Sequence, residues 1–192
     1  MEIGTKSVLF GVHQFLWHPI TVALAWRKLY GTPTFKILVC IFIHDLGYIG
    51  KPNMDGSEGE THPIWGAMWA HKHLDTYKIY SPEGKSQSFY EMCLYHSRTC
   101  AKKHNAEPSR LCWADKLCIK YDPWWFYLLR ARLSGELFEY HGDAIKSGLL
   151  PANSTHKEWF MWARERGIRV ALTENAATAY EFENPQQNPN LF

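Results

Sequence analysis

Phe35-Lys36-Ile37-Leu38-Val39-Cys40-Ile41-Phe42-Ile43-His44-Asp45 is an apolar run, interrupted only by Lys36, that closes on an adjacent histidine and carboxylate. A segment of this composition is expected to be buried, and a polar pair at its end costs free energy unless something satisfies it. The run is far too short to cross a bilayer. Gly31-Thr32-Pro33 ends the segment before it, so the pattern predicts a short buried helix over residues 34–46. With ten His and six Asp in 192 residues, chance alone supplies roughly 0.3 His-Asp pairs. The pair therefore gains meaning only from the other His and Asp residues around it.

Working outward, helical periodicity dominates. Apolar residues recur at three- and four-residue spacings over residues 8–30, through Phe15, Val22, Ala25, Trp26 and Leu29. Residues 52–60 form a polar loop, and Pro63 suits the first turn of a helix over 63–74. A second loop covers 78–85. Helical patterns return at 87–97, 108–121 and 123–141, the last two divided by Asp122-Pro123. A final amphipathic stretch covers 156–170, and the Pro- and Asn-rich residues 184–192 read as a disordered tail. No alternating strand pattern appears, which predicts an all-α bundle forming a single domain over residues 1–183.

Composition bounds the function classes. Hydrophobic residues make up 46% of the chain and aromatics 15%, enough for a sizeable core or an apolar cleft. Trp124 and Trp125 are expected in that core. The net charge of +2 gives no electrostatic case for binding nucleic acid. Five cysteines without a CxxC pair read as reduced thiols, and no targeting or membrane segment is evident. The expectation is a cytoplasmic protein with no membrane partner; its oligomeric state is open. Gly84-Lys85-Ser86 lacks the glycine that a phosphate loop needs five residues earlier, and no GxSxG or GxGxxG motif is present.

Five segments offer ligands for a metal: His18, His44-Asp45, His62, His96 and Asp115. Imidazole and carboxylate together suit divalent transition ions such as Fe, Mn, Co, Ni or Zn. Four His and two Asp suffice for two ions if one aspartate bridges them. His13 is an alternative to His18, and His71, His73 and His104 are alternatives to His62 and His96. Asp115 lies among apolar neighbours; an ion pair with Lys116 is disfavoured because adjacent helix residues do not face each other.

His18-Pro-Ile-Thr-Val22-Ala23, Phe42-Ile43-His44-Asp45-Leu46-Gly47, His62-Pro63-Ile64-Trp65-Gly66-Ala67, Tyr95-His96-Ser97 and Leu111-Cys112-Trp113-Ala114-Asp115-Lys116-Leu117 occur in that order. The set resembles the HD-domain superfamily of metal-dependent phosphohydrolases, over about residues 8–120. The resemblance implies an HD-type helical bundle with extra C-terminal helices. It implies a two-metal site of His18, His44, Asp45, His62, His96 and Asp115, with Asp45, His62 and His96 catalytic. It also implies hydrolysis of a nucleotide or nucleotide-derived phosphoester or phosphoanhydride, cyclic or dinucleotide forms included, by a metal-activated hydroxide. Lys51, Arg98 and Lys116 are the candidate substrate-binding cations. Many members have lysine after the glycine of the second motif, where this chain has Tyr48; Glu58 and Glu60 do not form the acidic motif of the single-metal members. A di-iron oxygenase with the same ligands, and a non-catalytic nucleotide-binding module, are the alternatives.

Overall fold

A computed structural model describes residues 1–75, 79–80 and 86–175. Among these the chain is all-α. In order come α1 (Ile3–Phe10), α2 (Trp17–Tyr30), α3 (Phe35–Ile43), α4 (Pro63–Leu74) and α5 (Phe89–Leu94), then α6 (Arg98–Lys103), α7 (Arg110–Cys118), α8 (Trp124–Ser134), α9 (Glu136–Lys146) and α10 (His156–Thr173). Ile79–Tyr80, in the segment expected to be loop, pairs antiparallel with Ser86–Gln87, which lies just after it and includes the first residue of the helix expected over 87–97. The expected tail at 184–192 lies outside the described residues.

Local chemistry explains where many helices begin. Thr34, Ser88, Ser97, Ser109 and Thr155 each accept a backbone N–H through the side chain at a helix start. Such caps contribute about 1 kcal/mol each. Ser88 with Glu91, and Thr155 with Glu158, form reciprocal capping boxes.

The expected helix over 8–30 is two helices. The first ends at Gly11, whose backbone is extended (φ −93°, ψ −151°) and where only glycine fits, since a Cβ would sit 2.4 Å from Glu136 Oε2. Gln14 Oε1 then accepts the N–H groups of Leu16 and Trp17 and starts α2. The segment 123–141 is likewise divided, at Gly135, whose φ of 96° is left-handed. α6 was hidden by its six-residue length. Trp124 and Trp125 are not core residues: 42% and 59% exposed, they project outward from the first turn of α8, while Tyr127 and Ala131 take its inner face.

Two large apolar cores result, beside a small cluster of Val8, Tyr48 and Met54. Val22, Trp26, Ile41, Met92, Leu111 and Leu117 join α2, α3, α5 and α7, with Ala67 and Ala70 of α4. Tyr127, Leu137, Trp159 and Phe160 join α8, α9 and α10. α10 packs on α7 and α1 packs on α8, so the cores meet along a seam. Arg130 is buried in it. Its guanidinium donates to the carbonyls of Gly11 (3.1 Å) and Val12 (3.0 Å) and pairs with Asp122, which also accepts the Trp17 indole N–H. Removing one partner of such a pair strands the other. Arg130→Met should lower unfolding free energy by about 3–5 kcal/mol in urea titration; a loss below about 1 kcal/mol, the value of an exposed pair, would show that Arg130 does not hold the seam.

Candidate metal centre

The six predicted ligands come from five separate places and converge. His18 lies in the first turn of α2, His44 and Asp45 follow α3, His62 precedes α4, His96 follows α5 and Asp115 lies within α7. Close backbone approach makes this possible. A Cβ on Gly47 would fall 2.0 Å from the His62 carbonyl, and one on Gly66 would fall 3.0 Å from that of Ile43. Glycine at both positions lets the start of α4 press against the chain leaving α3.

The donor atoms form two groups that share one carboxylate. Asp45 Oδ2 lies 3.0 Å from both His18 Nε2 and His44 Nε2, and Asp115 Oδ1 lies 3.2 Å from His18 Nε2. Asp45 Oδ1 lies 3.3 Å from His96 Nε2 and 3.6 Å from His62 Nε2. Each group could hold a metal ion.

The imidazoles are oriented alike. Nδ1 of His44 contacts the carbonyl of Ile41 (2.7 Å), that of His62 the carbonyl of Gly59 (2.7 Å), and that of His96 the carbonyl of Cys93. A carbonyl only accepts, so Nδ1 carries the hydrogen and Nε2 of the neutral ring presents its lone pair to the cluster. This is the arrangement by which outer hydrogen bonds fix metal-binding histidines. His18 differs, with Nδ1 3.7 Å from Cys118 Sγ.

The fit to a cation rests on polar atoms left without partners. Nε2 of His18, Nε2 of His44 and Oδ2 of Asp45 are buried and make no hydrogen bond despite their proximity. His62 Nε2 and His96 Nε2 face each other at 3.0 Å, where two lone pairs would repel. An ion in each group answers both observations.

Electrostatics agree. Burial, reinforced by His96, pushes the His62 pKa down to about 3, and burial also lowers that of His44. Against burial, His44 and His13 hold Asp45 well below the ordinary carboxylate range. Asp115 is held low by Lys116 and His18, again against burial. His18 is the exception: despite burial, Cys118, Asp115 and Asp45 raise it well above 6.5. The ligands thus favour ionised carboxylates with neutral His44 and His62.

All of these groups but His44 line a cavity of about 590 Å³ whose lining also includes Tyr140, Trp159, Trp162 and Arg166. Of the three expected substrate-binding cations, Arg98 and Lys116 line it and Lys51 does not. Lys51 Nζ donates to Thr61 Oγ1 at 2.6 Å, bracing the turn before His62. Arg98 pairs with Glu174 (3.2 Å), and Lys116 reaches Asp115 Oδ2 (3.4 Å). The disfavoured neighbour pair therefore exists, because the long lysine stem curls back. It leaves Asp115 Oδ1 to His18. The alternative ligands His71, His73 and His104 lie apart, at Asp75, Trp69 and the Cys100 carbonyl respectively.

Three contributing residues escaped the sequence reading. Tyr48 is buried and stacks on His62 with ring centroids 3.8 Å apart. His13, weighed only as a substitute ligand, lines the cavity beside His18. Its Nδ1 lies 3.1 Å from Glu136 Oε1 and 2.9 Å from Ser7 Oγ. Glu136 is wholly buried and accepts from Ser7 Oγ (2.7 Å), the Val12 N–H (2.9 Å) and Ser134 Oγ. No local motif marks Glu136, which lies 123 residues from His13.

No protein-family model, curated protein or solved structure matches this chain.

Two measurements test this geometry. Reconstituted with Mn²⁺ or Co²⁺, the chain should hold two ions by elemental analysis; Asp45→Ala should lose both and His96→Ala only one. An Asp45→Ala chain that keeps one ion would show that the carboxylate is not shared. Glu136 supplies the pH test. Burial alone would raise its pKa, but hydrogen bonds from His13 and Ser134 hold it below 4.5. A depressed folded-state pKa adds stability that is complete above 4.5 and fades as pH falls through the folded value. Glu136→Gln should therefore be less stable than the parent at neutral pH, with the gap narrowing below about 4.5, as read by urea unfolding across pH. A gap independent of pH would refute the ionised assignment.

Proposed function

We propose that the chain is a metal-dependent phosphohydrolase of the HD-domain type. It acts on a nucleotide or nucleotide-derived phosphoester or phosphoanhydride. The observation that carries this reading is the Asp45 carboxylate, with Oδ2 facing the His18–His44–Asp115 group and Oδ1 facing His62 and His96. The ordered motifs around those residues support the same reading.

Two divalent ions held there would supply a deprotonated water near neutral pH and polarise a phosphoryl oxygen. The chain's own residues supply the rest. His18, His44, Asp45, His62, His96 and Asp115 hold and orient the ions, and Tyr48 fixes the His62 ring by stacking. Arg98 and Lys116 at the cavity wall offset charge on the phosphoryl oxygens. His13 is held at Nδ1 by Glu136, which leaves Nε2 as the nitrogen available to the cavity. We assign that atom to hold the proton that the leaving oxygen receives. Glu136 is a positioning residue.

The test is a phosphate-release and product screen over a nucleotide panel, with Mn²⁺ or Co²⁺ and without oxygen. Hydrolysis should appear, and Asp45→Ala should abolish it together with metal binding. His13→Ala should lower kcat about 10²–10⁴-fold while metal content stays unchanged. Full activity of the metal-stripped chain would overturn the reading. A silent panel with iron bound would favour the oxygenase instead.

A further inference from the structure

From Ser7 to Trp26 the exposed side chains are of one chemical kind. They are Leu9, Phe10, Phe15, Leu16, Ile20 and Leu24. None is polar. On α8 the exposed residues are Trp124, Trp125, Leu129, Leu133 and the single charge Arg132. The two sets lie on adjoining elements: α1 packs on α8, Arg130 holds the Gly11 and Val12 carbonyls, and Trp17 meets Phe126 edge-on at 5.4 Å.

From this face we infer that the chain forms a symmetric dimer through α8, the end of α1 and the outer side of α2. Three arguments select a second copy as the occupant. The first is area: from their fractional exposure, Trp125, Leu129, Leu133 and the six N-terminal residues present apolar surface on the order of 900 Å². That exceeds the ~300–600 Å² of the largest patch on a typical monomer and matches the ~800 Å² per partner of a stable interface. The second is charge. Over residues 7–26 and α8 the exposed set carries one charge, Arg132, with Arg27 and Lys28 beyond it at the end of α2, so the apolar part of the face meets its own copy with little like-charge repulsion, as an isologous contact requires. The third is shape. Leu16, Ile20 and Leu24, and separately Trp125, Leu129 and Leu133, stand at four-residue intervals and form ridges along two helices. Ridges at that interval interdigitate with their own kind when two helices cross, so a two-fold axis through the face brings each ridge onto an equivalent one.

Sedimentation equilibrium of the full metal-loaded chain across the micromolar range tests the proposal. The expected mass is twice the 22.4 kDa of one chain. Leu129→Glu with Leu133→Glu, and separately Ile20→Glu, should return it to the single-chain mass with circular dichroism and melting unchanged. Trp65→Glu, on the separately exposed start of α4, should leave the dimer intact. A single-chain mass for the parent protein would overturn the proposal, as would a dimer that survives both sets of changes. A monomer that floats with phosphatidylcholine–phosphatidylserine vesicles would also overturn it and make this face a lipid contact.

Discussion

The Asp45 carboxylate, buried and shared between two sets of imidazoles, is the constraint around which the rest of the molecule is arranged. Taking a carboxylate out of water costs several kcal/mol unless opposite charge and hydrogen bonds replace the solvent. Here His44, His62 and His96 turn Nε2 lone pairs toward it, so the opposite charge would come from cations, and four histidines on elements far apart in sequence must each be delivered with Nε2 turned inward. Carbonyls three residues upstream of His44, His62 and His96 impose that orientation, which is why all three stand just after a helix or helical turn. A carbonyl at a helix end keeps a lone pair for such a contact, and that of Gly59 accepts the His62 backbone N–H as well. The short helices and abrupt turns around the site are therefore what the ligand geometry requires.

That same requirement explains why so much of the site was legible in the sequence. His18, His44, His62 and His96 lie near helix boundaries, and boundaries leave local marks: Pro63 beside His62, Ser97 beside His96, an apolar run ending at His44. α4 could be read residue for residue for the same reason. What could not be read depends on contacts between distant segments. At Gly11, where the first helix ends, a side chain would collide with Glu136, which belongs to another helix altogether. The 3.6-residue periodicity carries straight through it. Gly135 is a second such break, set by a left-handed backbone that apolar spacing does not record. Lys51 was placed by its proximity in sequence to the second motif, whereas a hydrogen bond to Thr61 sets its direction. The exposed Trp124 and Trp125 show the converse error, since composition favours burying tryptophan and says nothing about which side of a helix the core occupies.

Two buried carboxylates of different character meet at the α1–α2 turn. Asp45 faces the cluster with one oxygen left without a hydrogen bond, whereas Glu136 is saturated by two hydroxyls, a backbone N–H and His13. The contrast separates their roles. An acid with every lone pair occupied by protein donors has nothing left for an ion, so Glu136 orients His13 and anchors the turn. An acid stripped of donors at the meeting point of four imidazoles is built for a cation. The two histidines of the turn divide accordingly, His18 toward the cluster and His13 toward the carboxylate behind it.

The turn is thus gripped from inside by Glu136 and by Arg130, which hold its N–H and carbonyl groups, while its outer surface is apolar. With the Val12 N–H and the Gly11 and Val12 carbonyls engaged inward, Phe15 and Leu16 form the outer side of the turn. In a monomer these side chains would be a solubility cost with no return to the fold, because the cores are already complete beneath them. Covered by a second copy, they would press on the segment that sets His13 and His18 relative to Asp45. Pressure on the outer face of this turn would stiffen the spacing on which the shared carboxylate depends. The apolar face and the buried centre are in that sense two sides of one short stretch of chain.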